Sequence, residues 1–163
     1  MEPPASIALL EQLRFSADLP ADVLARVAAI ATVSTYPAGS TLFREGTLND
    51  RLLIVTSGRV ALDMRVPGRG EVRVLSLGPG DVVAWSALIG DGCMTTSAVA
   101  LDDVQLVSVG ARDLLALCES DHTLGFHLMR QLGLALANRL VATRLQLLDL
   151  FAETSAKMPL ASH

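Results

Sequence analysis

Aromatic residues make up only 4% of the 163 positions, with a single tryptophan and a single tyrosine. Aliphatic side chains and alanine must therefore fill whatever core forms. Cysteine is scarcer still. Cys93 and Cys118 stand far apart with no C-x-x-C pattern, which argues against a disulfide framework and a structural zinc site and fits a reducing compartment. Basic residues are outnumbered, 13 Lys and Arg against 17 Asp and Glu, for a net charge of −4. At that balance no overall electrostatic drive toward nucleic acid or anionic membrane exists. Long uninterrupted apolar runs are absent as well. The mean hydropathy is +0.45, and Val27 to Phe43 carries no formal charge, but Tyr36-Pro37-Ala38-Gly39-Ser40-Thr41 within it is a turn that no spanning helix could continue. The acidic start Met1-Glu2-Pro3-Pro4 lacks the basic region of a signal peptide. What is present is 51% hydrophobic residues with 18% charged, enough for one well-packed domain. The expectation is a soluble cytoplasmic protein with no membrane partner.

Three zones of different period follow one another. Ile7, Leu10 and Leu13 are spaced for a helix, and a break at Phe15 to Pro20 precedes a second apolar face of Val23, Leu24, Val27 and Ile30. From about residue 32 to 110 the period falls to two, and turn residues recur every ten or so positions. Strands are predicted at Leu52–Thr56, Arg59–Val66, Glu71–Leu77, Asp81–Val83, Ser97–Leu101 and Val104–Val109, with a hairpin tip at Gly68-Arg69-Gly70. Short strands so spaced suggest a β sandwich or barrel, most simply a jelly roll. Helix then returns at Arg112–Cys118 and runs through a long segment, 121–151. Along it Met129, Gly133, Leu136, Leu140, Thr143, Leu147 and Leu150 form a heptad seam, while Leu128, Leu132, Ala135 and Ala142 cover a neighbouring face. Two apolar faces want two partners: the chain's own β domain and a second copy. The predicted homodimer interface comprises Met129, Leu132, Leu136, Leu140, Thr143 and Leu147. The fold class is α+β, with a domain over 1–152 and a disordered tail over 153–163.

This order of helical pair, jelly roll, short helix and long heptad helix resembles the cyclic-nucleotide-binding domain of the CRP/FNR family. Several stretches carry the resemblance in order: Leu19-Pro20-Ala21-Asp22-Val23-Leu24, Tyr36 to Gly46, Leu53 to Val60, Leu77-Gly78-Pro79-Gly80-Asp81, and Asn138 to Phe151. The resemblance implies a ligand pocket. In it a Gly-Glu pair and a later Arg, followed by a hydroxylic residue, hold the ribose and the cyclic phosphate, with backbone N–H groups at a short helix N-terminus adding donors. In this chain Ala84 and Trp85 stand at the Gly-Glu positions, followed by Ser86, and Met94 stands at the Arg position, followed by Thr95 and Thr96. No basic residue lies between Arg73 and Arg112, so no small shift of alignment restores the Arg. Both charged anchors of tight cyclic AMP binding are replaced.

Each candidate also has a plainer reading. Trp85 either stacks on a ligand ring or fills the emptied phosphate pocket. Ser86, Thr95 and Thr96 either bind a small polar ligand or satisfy turns and strand ends. The family's base-reading positions fall near Asn138 and Arg139; Asn138 either reads a ligand edge or sets helix register. His122 and His127, with Cys93 and Met94, could in principle offer a haem ligand, but a histidine near a helix start is more simply a cap or a surface group. No cofactor and no metal are expected. No catalytic triad, P-loop or dinucleotide fingerprint is present, so an enzyme is not expected.

After Phe151 the remaining twelve residues hold one basic side chain, too little for a DNA-reading module, and direct DNA binding is not expected of this chain. Two function classes remain. One is a stand-alone dimeric sensor of a small effector, read by a downstream protein. The other is a ligand-free dimerisation or docking module, or a truncated CRP/FNR regulator. The sensor needs a cavity beside Ser86 and Thr95; the docking module needs that cavity closed and an exposed apolar patch.

Overall fold

The structure, a computed structural model, describes residues 1–157. Two short helices, α1 (Ile7–Glu11) and α2 (Ala21–Ile30), lead into seven strands. These are β1 (Ala31–Tyr36), β2 (Thr41–Phe43), β3 (Arg51–Ser57), β4 (Val60–Val66), β5 (Gly70–Leu77), β6 (Ser97–Ala100) and β7 (Val104–Gly110). Two helices follow, α3 (Ala111–Ser120) and α4 (His122–Lys157). The strands form two antiparallel sheets, β1-β7-β3 and β2-β6-β4-β5. This is the jelly-roll-like α+β arrangement that the sequence implies, with helices at both ends.

The alternation of β3 explains how the layers meet. Leu53 and Val55 point into the space between the sheets, where they pack with Leu62, Leu106 and Met94. Leu52 and Ile54 point the other way, into a second core built with Val107, Val109 and the helices. The three-stranded sheet is thus buried on both faces, which is why β3 and β7 read as near-continuous apolar runs. On the helical side the second core takes Val23, Leu24 and Val27 of α2, Leu114 of α3, and Leu124, Leu128 and Leu132 of α4.

Turns follow their residue chemistry. The β4–β5 hairpin closes over Gly68 and Gly70, both at positive φ, as the Gly-Arg-Gly tip predicts. Gly58, between β3 and β4, has φ +81°, and a Cβ there would lie 2.4 Å from the Asp103 carbonyl oxygen. At the junction of α3 and α4, Arg26 donates to Asp121 at 2.6 Å, and the other Asp121 oxygen accepts the Leu124 N–H at 3.1 Å, capping α4.

Some expectations are corrected. The predicted strand Asp81–Val83 is a single bridge, Val82 to Ile54, flanked by Val55 N–H to the Asp81 carbonyl (3.0 Å) and Val83 N–H to the Leu53 carbonyl (2.8 Å). β1 and β2 were not among the predicted strands: β1 starts directly where α2 ends, and β2 is only three residues long. The helix that was to end at Phe151 continues to Lys157, so residues 153–157 are helical and not tail. Ala152, Ala156 and Lys157 favour helix, and the Thr154 hydroxyl bonds back to the Leu150 carbonyl at 2.9 Å. The rest of the predicted tail, 158–163, lies outside the described residues.

Candidate functional site

The segment between β5 and β6 builds one wall of a cavity. It starts in the turn Leu77 to Asp81, where the Asp81 carboxylate accepts the Gly78 N–H at 2.9 Å and Gly80 takes φ +89°. The bridge at Val82 then pins it to β3. Beyond it the Trp85 carbonyl accepts the N–H groups of Leu88 (3.0 Å) and Ile89 (3.2 Å), making one turn in place of the short helix that the resemblance implies. The Ser86 hydroxyl donates to the Cys93 carbonyl at 3.1 Å, closing the loop on itself, and Gly90 and Gly92 take up positive φ on the way. Met94 is fixed on both sides: its N–H donates to the Thr47 carbonyl (2.9 Å) and its carbonyl accepts the Gly46 N–H (2.8 Å).

The cavity has a volume of about 340 Å³. Ala84, Trp85, Ser86, Met94, Thr95 and Thr96 all line it. Its floor is the outer sheet, through Phe43 of β2, Leu62 and Met64 of β4, and Val74 and Leu75 of β5. Its third side is α4, which contributes Arg139, Thr143 and Leu147. Trp85 is half-buried, lining the cavity while it packs against the helical core. Met94 and Ala84 are buried among apolar neighbours of the inter-sheet core.

Sequence reasoning placed Asn138 in this site. The structure puts it elsewhere: Asn138 is exposed and lines a neighbouring cavity of about 370 Å³ with Arg14, Asp81 and Gln131. One residue further round the helix, Arg139 borders both cavities. It is half-buried, and among the described residues it takes part in none of the four ion pairs. Burial lowers its pKa from the ordinary arginine value, and the negative charge of Asp81 acts in the opposite sense. The sequence signal for Arg139 was its place between Leu136 and Thr143, three and four residues from each, on the stripe that faces the β domain.

That stripe also revises the seam. Leu132 is 1% exposed and sits in the chain's own core, so it is not available to a second copy. Met129 and Leu136 pack against the same core, and Thr143 and Leu147 line the cavity. Of the six residues assigned to the interface, Leu140 and Leu147 are exposed, at 53% and 50%. A different set, Leu134, Val141, Leu145 and Leu148, is exposed at steps of seven, four and three. His122 and His127 lie at the start of α4, and neither lines the cavity. Among the described residues no three His, Cys, Asp or Glu side chains come together as a metal site, and no helix is long and apolar enough to cross a membrane.

Residues 33–121 match the family described as the cyclic nucleotide-binding domain, more than half of the chain. The chain belongs to the cyclic nucleotide-binding domain family. It is 35% identical over 115 residues to a CRP-like cAMP-activated global transcriptional regulator of Mycobacterium tuberculosis, an alignment covering 71% of this chain and 50% of that protein. The chain thus spans half the length of that relative. Among solved structures, a chain from Geobacter metallireducens, offered as a candidate cyclic nucleotide-binding protein, is 30% identical with a TM-score of 0.74, over 83% of this chain and 98% of that one. The catabolite activator protein of Thermus thermophilus is 28% identical with a TM-score of 0.66, over 88% of this chain and 63% of that one. The cyclic nucleotide-binding domain here is therefore a CRP-like one, and its cavity lies between the sandwich and the long helix.

Proposed function

We propose that this cyclic nucleotide-binding domain is a non-catalytic sensor whose effector is not tightly bound cyclic AMP, and whose output is a movement of α4. The observation that carries the reading is that α4 itself, through Arg139, Thr143 and Leu147, completes the cavity lined by Trp85, Ser86, Thr95 and Thr96. A molecule in that space touches the loop wall and the helix together, so its binding energy depends on where the helix lies. A ligand that favours one helix position shifts the population toward it, and a downstream protein reads the change.

The replaced anchors argue the rest. A cyclic phosphate placed as in the resembled site would meet Met94 and Ala84, both buried and apolar, with neither an arginine nor a helix N-terminus to receive it. The sensor is a homodimer in this reading, paired through the exposed apolar side of α4, where Leu134, Val141, Leu145 and Leu148 repeat with coiled-coil spacing. That same exposed face favours the second reading, a ligand-free docking module.

Thermal-shift screening of small metabolites, followed by amide hydrogen exchange on each stabilising compound, tests the sensor reading. Compounds that raise the melting temperature should slow exchange around residues 139–147. Stabilisation with exchange in α4 unchanged would contradict it, and the absence of any stabilising compound would favour the docking module.

A further inference from the structure

The cavity is charged on one wall, and that wall is not the loop on which the resembled site holds its phosphate. Arg139 is the only ionisable side chain among the residues that line it, and it stands on α4. The loop-side wall, where the resembled site would hold the phosphate, is Ala84, Trp85 and Met94, none of them charged. Elsewhere the lining is aliphatic or aromatic, with hydroxyls from Ser86, Thr95, Thr96 and Thr143. The Ser86 proton is engaged by the Cys93 carbonyl. Resting on the sensor reading above, we propose that the effector is a small apolar carboxylic acid, seated with its carboxylate on Arg139 and its apolar body against Trp85 and Met94.

Three observations converge on that class. First, the guanidinium is half-buried and unpaired among the described residues, so part of its desolvation precedes binding and a planar carboxylate can accept its N–H fork. Asp81, the acid whose charge acts on it, also accepts from Arg14 at 3.4 Å and from the Gly78 N–H at 2.9 Å, so its charge is shared and makes no ion pair with Arg139. Second, a single cation matches a single negative charge; a polyanion would leave charge buried against Leu62, Val83 and Met94. Third, about 340 Å³ lies at the small end of ligand pockets, which suits a compact molecule whose bulk is hydrocarbon or an aromatic ring.

The domain carries its own reporter, because Trp85 is the only tryptophan and borders the cavity. Octanoate and 4-phenylbutyrate are titrated against the whole chain, with octanol and 4-phenylbutanol as neutral counterparts and cyclic AMP as a separate arm, reading Trp85 emission. The acids should perturb the emission saturably and bind about tenfold or more tighter than the alcohols, the range of a charge-assisted hydrogen bond. Arg139→Gln should bring the acids down to the affinity of the alcohols without changing alcohol binding, and Arg139→Lys should keep part of the preference. Circular dichroism melts confirm that each variant folds. Equal binding of acids and alcohols, no binding of the acids, or an acid preference that survives Arg139→Gln would each overturn the proposal. If cyclic AMP perturbs Trp85 and the acids do not, the carboxylate assignment fails while a ligand-sensing role stands. If no probe acts at millimolar concentration, both fail.

Discussion

Arg139 on the long helix and Trp85 on the loop between β5 and β6 line one cavity. Neither belongs to the same sheet or helix as the other, so the cavity exists only while α4 lies along the sandwich. This ties the state of the helix to the contents of the pocket, and it supplies from α4 a cation that the loop lacks.

The two sides of α4 should respond differently to substitution. Leu132 is fully buried in its own domain, so Leu132→Ala should cost about 2–5 kcal/mol in a denaturant melt. Val141→Asp with Leu145→Asp changes only exposed positions and should leave the melt of the β domain nearly unchanged while converting dimer to monomer in light scattering. A dimer mass that survives the double substitution would remove the exposed face from the interface.

Acid should loosen the junction where α2 meets α4. The hydrogen bond from Arg26, then that from the Leu124 N–H, hold the Asp121 carboxyl below its ordinary pKa. A depressed folded-state pKa means stability that is present above the unfolded value, about 4, and is lost as pH falls through the folded value. The melting temperature of the wild type should therefore exceed that of Asp121→Asn at neutral pH, with the gap closing below about pH 4. A gap independent of pH between 7 and 3 would assign the effect to shape and not to charge.

Gly58→Ala should destabilise the domain by about 2 kcal/mol or more. Its φ of +81° disfavours any Cβ, and the added carbon would meet the Asp103 carbonyl at 2.4 Å, backbone that cannot swing aside. A denaturant midpoint within error of the wild type would show that the β3–β4 turn relaxes freely.

Much of this was legible in the sequence. The six loop residues from Ala84 to Thr96 come to one cavity because two-residue periodicity and glycine turns fix the strands on either side of them. What was hidden lies on α4. A heptad stripe states that a face is apolar and not which partner covers it, and Leu132 looks the same in either role. A straight helix also drifts by about 20° per heptad against a strict seven-residue repeat. So the seam that begins on the core at Met129 and Leu136 reaches the cavity by Thr143 and Leu147, and the free face falls to Val141 and Leu145. The ordinary step of about 100° between neighbouring helix positions separates Asn138, exposed, from Arg139, which borders the pocket. The step from α2 to β1 at Ile30–Ala31 was masked by the lack of any turn residue between them.

Calorimetric titration of the purified domain with cyclic AMP bears most directly on the claim that its phosphate anchors are replaced and that, among the described residues, the one cation lining the cavity is on α4. Each lost charge-assisted bond weakens binding by about 1.5–3 kcal/mol, so the dissociation constant should be weaker than about 100 μM. Submicromolar binding would contradict the account, because it would require Met94 and its neighbours to seat a phosphate that this structure gives them no charge to hold.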